Sequence, residues 1–300
     1  MAPRTSSLVA SLLGAALAAG STALGQPPGE ARATRLPPVP LADLQLPHRD
    51  LRDGSPRDEL SPERLARGYT IIVVGVNGNN VLSAGLAPGL VEGGYPGAVD
   101  VVDWTTGLWP LFLYHLRADG RHTTAAHAIA EKISAYRAQY PGREVNLIGF
   151  SAGADVVLDT LHELSESEPV DRVVLLAAAV SPVRDLRESL TRCRIGLWNY
   201  YQPQDVVALW AGTVLAGTAD GVHLVSAGAV GFWSPLQQHD ADEASARHKL
   251  VQLPYDPRMA LSGNLGGHFQ CVNRHFIARW IAPVLTLPVA VRPQPTPGGR

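Results

Sequence analysis

Val145-Asn146-Leu147-Ile148-Gly149-Phe150-Ser151-Ala152-Gly153 is an apolar, strand-like run that ends in a turn of small residues, after which Val156, Val157, Leu161 and Leu164 recur at helical spacing. The five residues from Gly149 to Gly153 fit the pattern G-x-S-x-G, which is weak by itself and informative at a strand-to-helix junction. A serine at such a junction must hold a strained backbone on a sharp turn, and glycines two positions before and after it let strand and helix approach. The turn lifts the Ser151 hydroxyl above the strand end. It also places the Ala152 N–H at a helix N-terminus, where developing negative charge is favoured. The bland alternative is a serine that caps an ordinary turn.

Outward from this junction, six short apolar or β-branched runs read as strands: Thr70 to Val76, Ala98 to Asp103, Glu144 to Gly149, Arg172 to Ala179, Ile195 to Tyr201 and Lys249 to Tyr255. Several are almost wholly apolar, as strands buried on both faces are. Between them, Ile129, Ile133, Tyr136 and Tyr140 mark a helix that Pro141-Gly142 stops, and a later helix is expected from Cys271 to Ile281 with Phe276, Ile277 and Trp280 on its apolar side. The alternation predicts an α/β fold: a three-layer sandwich with a mostly parallel sheet of about six to eight strands flanked by helices, forming one domain over 69–285. Residues 26–68 are rich in Pro and charge without a period, and read as irregular chain or a short helix. The Pro-rich residues 286–300 read as a disordered tail.

Residues 1–25 combine Arg4, an apolar run from Leu8 to Ala19 and a small-x-small end at Ala23-Leu24-Gly25, the pattern of a cleavable secretory signal. Export to the periplasm or the extracellular space is the expectation. A buried helix or short anchor is the alternative, although the run is short for a bilayer, and no other segment has the apolar length of an integral membrane span. The 300 residues are 46% hydrophobic and 17% charged with a formal net charge of −2, a globular balance with no basic cluster, so nucleic acid is excluded as a partner. Cys193 and Cys271 form either one disulfide or two small buried apolar residues, and the sequence does not choose. Oligomeric state is open. Neither a Walker A sequence nor a G-x-G-x-x-G turn is present, and His162-Glu163 is not followed by a second His at zincin spacing, so no cofactor and no metal are expected.

A serine hydroxyl needs a base to take its proton and an acid to orient that base. Asp205, in the turn-rich Tyr201-Gln202-Pro203-Gln204-Asp205 at the carboxyl end of a strand, is the candidate acid, with Asp185 its rival. His268 is the candidate base, because the glycines of Leu265-Gly266-Gly267-His268 let the loop bend back toward the serine, whereas His275 falls inside the following helix. Oxyanion donors are expected at Ala152 and at Asn77 or Gly78 in the loop Gly75-Val76-Asn77-Gly78-Asn79-Asn80. An ordinary tight turn explains that loop equally well. The stretch from Trp210 to Trp233 reads either as a small lid whose Leu215, Val222, Leu224 and Phe232 line an acyl pocket, or as a helix and loop packed on the sheet edge. Trp104, Trp109, Phe112 and Tyr114 read as core before cleft.

The order of strand, Asn-Gly loop, Gly-Phe-Ser-Ala-Gly elbow, late Asp and Gly-Gly-His loop resembles the α/β-hydrolase superfamily, its esterase and lipase-like members in particular, over about Tyr69 to Ile281. The resemblance implies a Ser151, Asp205, His268 triad and metal-free hydrolysis of a small-molecule ester through an acyl-enzyme. A peptidase or amidase on the same triad, and a binding protein that kept the fold without turnover, are the alternatives. The chain departs from the pattern in having Asn77-Gly78 where many members carry His-Gly, and in lacking a long helical cap.

Overall fold

The computed structural model describes residues 60–108, 111–205, 213–233 and 248–287. The signal-like residues 1–25 and all but the first residues of the tail lie outside these. Of 26–68, only 60–68 are described, and there a helical turn, α1 (Pro62–Leu65), precedes the sheet.

Six strands form one sheet in the order β2-β1-β3-β4-β5-β6, every pair parallel. They are β1 (Tyr69–Val73), β2 (Ala98–Val102), β3 (Val145–Phe150), β4 (Val170–Leu176), β5 (Cys193–Tyr201) and β6 (Leu250–Pro254). Every residue of β1 to β4 is buried, which is why their sequences are continuous apolar runs and not alternating ones. At the edge, β6 is only half-buried and carries Gln252 among its apolar residues.

Alternate strand residues feed two cores. Ile71, Val73, Leu147, Val173 and Leu175 pack with α4 (Asp119–Gln139) and α5 (Gly153–Glu163) on one face. On the other, Ile72, Ile148, Phe150, Val174 and Leu176 pack with α2 (Leu86–Glu92) and with α9, a run of helical segments Arg274–Phe276, Ile277–Ile281 and Ala282–Thr286 whose middle turn is π-helical. The chain therefore forms helix, sheet and helix layers, the three-layer α/β arrangement expected from the sequence. The shorter helices α3 (Phe112–Leu116), α6 (Arg187–Thr191), α7 (Thr213–Ala216) and α8 (Ala227–Val230) lie in the connections.

Strand order positions the site. The chain leaves β1 for β2 on one side and returns to β3 on the other, so β1 and β3 are neighbours whose outgoing loops diverge. A crevice opens at the carboxyl ends of strands where the order reverses in this way. The loop after β1 and the turn after β3 meet there.

Where boundaries differ from the sequence reading, backbone geometry is the reason. β4 stops at Leu176, three residues early, because Ala177 takes a φ of 47°, outside the extended region. The helix expected from Cys271 is interrupted: a 3-10 turn spans Gln270–Val272, and Asn273 then caps a new helical start by accepting the His275 N–H at 3.0 Å. The segment 213–233 is stitched onto the sheet, with the Ala227 N–H donating to Val180 O and the Gly228 N–H to Ala178 O, both at 2.8 Å. Phe232 is buried in the core on the sheet face that carries α4 and α5, and it is not among the residues lining the cavity at Ser151. Trp104 is core, Tyr114 is exposed, and Trp109 lies outside the described residues.

Cys193 and Cys271 are both buried free thiols, one in each core. Burial pushes the Cys193 thiol up to about 12 and raises that of Cys271 further, so neither forms a thiolate near neutral pH. Two thiols per chain should therefore react with Ellman's reagent in guanidinium without reductant, and essentially none in the native protein. A silent denatured sample would mean the cysteines pair.

Candidate active site

Ser151 follows β3 directly and has a φ of 55°, a left-handed conformation rare for a residue with a side chain. Three backbone hydrogen bonds hold it there. Its N–H donates to Leu176 O at 3.0 Å, and its carbonyl accepts from Ala154 N at 3.1 Å and from Ala179 N at 3.0 Å. The flanking glycines are required by contact: a Cβ on Gly149 would stand 2.7 Å from the Ala154 Cα, and one on Gly153 would stand 2.3 Å from Val73 O. Helix α5 thus begins against the end of β1, and Ser151 is 6% exposed at the top of the sheet.

The loop after β6 brings His268 to this turn, with Gly266 at a φ of 88°. His268 Nε2 lies 3.0 Å from Ser151 Oγ, and Nδ1 lies 2.8 Å from Asp205 Oδ2. A carboxylate only accepts, so Nδ1 carries the proton and donates it to Asp205, leaving the Nε2 lone pair facing the serine hydroxyl. Asp205, after β5, is buried, with its N–H closing a turn to Gln202 O at 3.0 Å. These three side chains, 54 to 117 positions apart along the chain, form one hydrogen-bonded series at the carboxyl edge of the sheet. Their rivals are elsewhere. Asp185 is half-exposed and bound by Arg187, and His275 is exposed beside Glu92.

A cavity of about 20 Å³, room for little more than one water-sized group, is lined by Ser151, His268, Phe150 and the loop from Gly75 to Gly78. Of the two loop residues singled out as oxyanion donors, Gly78 donates its N–H to Gly75 O at 3.0 Å and is committed to the turn. Among the described residues, no hydrogen-bond partner is recorded for the Asn77 N–H or for the Ala152 N–H. Asp103, just after β2, steadies the loop: the Asn79 N–H donates to its Oδ2 at 2.9 Å, and Thr105 Oγ1 fixes the carboxylate by donating to its Oδ1 at 2.8 Å.

The sequence reading missed what lies beneath this loop. Fully buried His115 on α3 contacts Val76 O through Nδ1 at 2.9 Å and receives the Thr106 N–H at Nε2 at 3.1 Å. Burial pulls its pKa down, so the ring is neutral. His122 on α4 has acceptors on both nitrogens: Asp155 Oδ2 at 2.8 Å and His115 O at 2.9 Å. Both nitrogens must then donate, which makes the ring an imidazolium. Burial opposes that charge, but the bond to Asp155, its negative charge and the His115 carbonyl outweigh it, and the pKa is raised. Asp155 also binds Arg184, which reaches Asp159 at 2.6 Å. No sequence signal marked this network, because His122 and Asp155 are 33 positions apart and each occupies an ordinary helical position.

Among the described residues, no group of three or more His, Cys, Asp or Glu could hold a metal ion, and no helix is long and apolar enough to cross a membrane.

The sheet order, the elbow and the helix layers are those of the α/β-hydrolase fold. Similar solved structures include a lipase-esterase related protein from Clostridium acetobutylicum, at 12% identity and a TM-score of 0.41, covering 73% of this chain and 93% of that one. Another is a dienelactone hydrolase-like promiscuous phosphotriesterase, P91, from metagenomic libraries, at 16% identity and a TM-score of 0.38, covering 67% and 77%. No protein-family model matches the chain, and no curated protein does.

The raised pKa of His122 has a defined sign. The groups facing it are Asp155 and Asp159 on α5, Arg184 after β4, His115 on α3 and Trp104 after β2. A folded-state pKa above the unfolded value gives stability that is complete below about pH 6.5 and is lost as pH rises through the raised value. Tm followed by circular dichroism should fall as pH rises above about 6.5. His122→Gln, which has no titrating group, should flatten that slope; an unchanged slope would assign the loss elsewhere.

Proposed function

We propose that this protein is a serine hydrolase that cleaves carboxylic esters through an acyl-enzyme. The observation that carries the reading is the hydrogen-bond series from Asp205 through His268 to the hydroxyl of a positive-φ serine. The Ser151 oxygen attacks the ester carbonyl as its proton passes to His268 Nε2, and a new C–O bond forms. The carbonyl oxygen takes the negative charge between the Ala152 and Asn77 N–H groups. Collapse breaks the bond to the alkoxide, which leaves with the proton from His268. Water then repeats the sequence on the acyl-enzyme and frees Ser151. Asp205 fixes the tautomer of His268 and stabilises its cation.

A neighbouring groove of about 320 Å³, lined by polar residues such as Gln270 and Asn273 as well as apolar ones, supports a small ester with one arm lying beside the serine. It shares Leu82 and Phe269 with the serine cavity and continues past Val81 and Val272 to Arg274. Arg274 is paired with Glu92, so the far end presents no free cation to an anionic tail. Esters are favoured over amides, because cleavage of peptide amides usually relies on an extended peptide groove. The same reading places the protein outside the cytoplasm after removal of residues 1–25, on the strength of the Arg4 start and the Leu8 to Ala19 run.

A p-nitrophenyl ester series from acetate to decanoate tests this. Short and medium chains should be turned over, and Ser151→Ala and Asp205→Asn should each lower kcat by on the order of 10⁴-fold or more. A fluorophosphonate should label Ser151 in the wild type and fail in His268→Ala. No turnover of any ester together with no labelling would end the reading.

A further inference from the structure

His115 and His122 stand outside the triad, yet they join the two walls of the serine cavity. Nδ1 of His115 faces Val76 O, which can only accept, so the single proton of the neutral ring sits on Nδ1 and is given to that carbonyl; Nε2 then accepts from Thr106, whose backbone N–H lies at 3.1 Å and whose hydroxyl lies at 2.9 Å. Val76 O and the Asn77 N–H belong to one peptide group. In a planar trans peptide the C=O and the N–H point in opposite directions. A donor buried beneath the loop that draws the carbonyl inward therefore turns the Asn77 N–H outward, to the side where Ser151 and His268 line the cavity. Two peptides earlier the chain is restrained likewise, since Trp104 Nε1 donates to Val74 O at 2.6 Å, and the peptide between is held by the Gly78 N–H on Gly75 O at 3.0 Å.

His122 fixes His115 in turn. It donates to the His115 carbonyl and to Asp155, and Asp155 lies in the first turn of α5, four residues after Ser151. Trp104 stands at 89° to the His122 ring with centroids 4.6 Å apart, close enough for its π-system to favour a cation. A continuous path of directed hydrogen bonds thus runs from the helix bearing the nucleophile to the peptide facing it.

We propose that His115 is the positioning residue of the second oxyanion donor, holding the Val76–Asn77 peptide so that its N–H meets the substrate carbonyl oxygen, and that His122 with Asp155 locks His115 to the elbow helix. The proposal rests on the serine hydrolase reading. Neither histidine exchanges a proton with substrate.

His115→Asn and His115→Leu decide it, because the two replacements have nearly the same shape and only asparagine can donate to Val76 O. On p-nitrophenyl butyrate, the leucine variant should lose about 10²-fold in kcat, the scale of one oxyanion donor, with KM within about twofold. The asparagine variant should recover at least about tenfold of that loss. Affinity for an alkyl boronic acid, which mimics the tetrahedral intermediate, should fall in parallel with kcat. Equal kcat in the two variants, or a loss carried by KM, would overturn the proposal. If the leucine variant does not fold, ¹⁵N NMR of the wild-type His115 ring decides: a protonated Nδ1 beside a bare Nε2 is required, and the opposite tautomer or a doubly protonated ring refutes it. A wild type that neither turns over esters nor takes the fluorophosphonate label would instead count against the hydrolase reading.

Discussion

The contact between the first turn of α5 and the end of β1 governs the rest of the structure. Gly153 sits where a Cβ would press 2.3 Å from Val73 O, so the helix start can reach the strand only with glycine at that position. That approach bends the chain sharply after Phe150 and leaves Ser151 at a φ of 55°. Such a conformation costs on the order of 1–3 kcal/mol and persists only where the surroundings over-determine it. Here they do so through bonds from Leu176, Ala154 and Ala179, two of which come from the next strand's exit. The strain is therefore maintained by the sheet.

Because the elbow sits at the reversal of strand order, the loops that complete it arrive from both directions. The loop after β1 supplies the Val76–Asn77 peptide, the loop after β5 supplies Asp205, and the loop after β6 supplies His268. Each is stiffened in its own way: by Asp103 and His115 under the first, by the Gln202 turn at the second, and by ring contacts of His268 with Phe150 at 5.2 Å and Phe269 at 5.1 Å at the third. In the proposed hydrolase, a group held within hydrogen-bond reach before substrate arrives would spend no binding energy on being ordered, which is what preorganisation means physically.

The buried charges beneath the loop follow the same logic. An imidazolium, two carboxylates and a guanidinium share an interior site, where each would be costly alone and where every charge has an opposite partner at hydrogen-bond distance. Replacing such a group by an apolar side chain of equal volume is often neutral for stability, so its use here is directional: His122 can donate to two places at once only while charged.

The sequence alone determined what depends on neighbours along the chain. Six strands were readable because burial on both faces demands unbroken apolar runs, and the elbow was readable because strand, glycine, serine, glycine and helix are contiguous. Asp205 and His268 were legible by position, each just past a strand and in a segment able to turn. Only the tertiary structure decided the rest. That Gly78 spends its N–H within the loop depends on a turn bond to Gly75, that Phe232 fills core depends on how 213–233 is stitched to the sheet, and that the cysteines stay apart depends on the sheet between their two cores. The hydrogen bonds of His115 and His122 reach partners 39 and 33 positions away, brought together by packing. A hydrogen bond is set by distance and direction in space, and a linear pattern records neither once the partners lie on different elements.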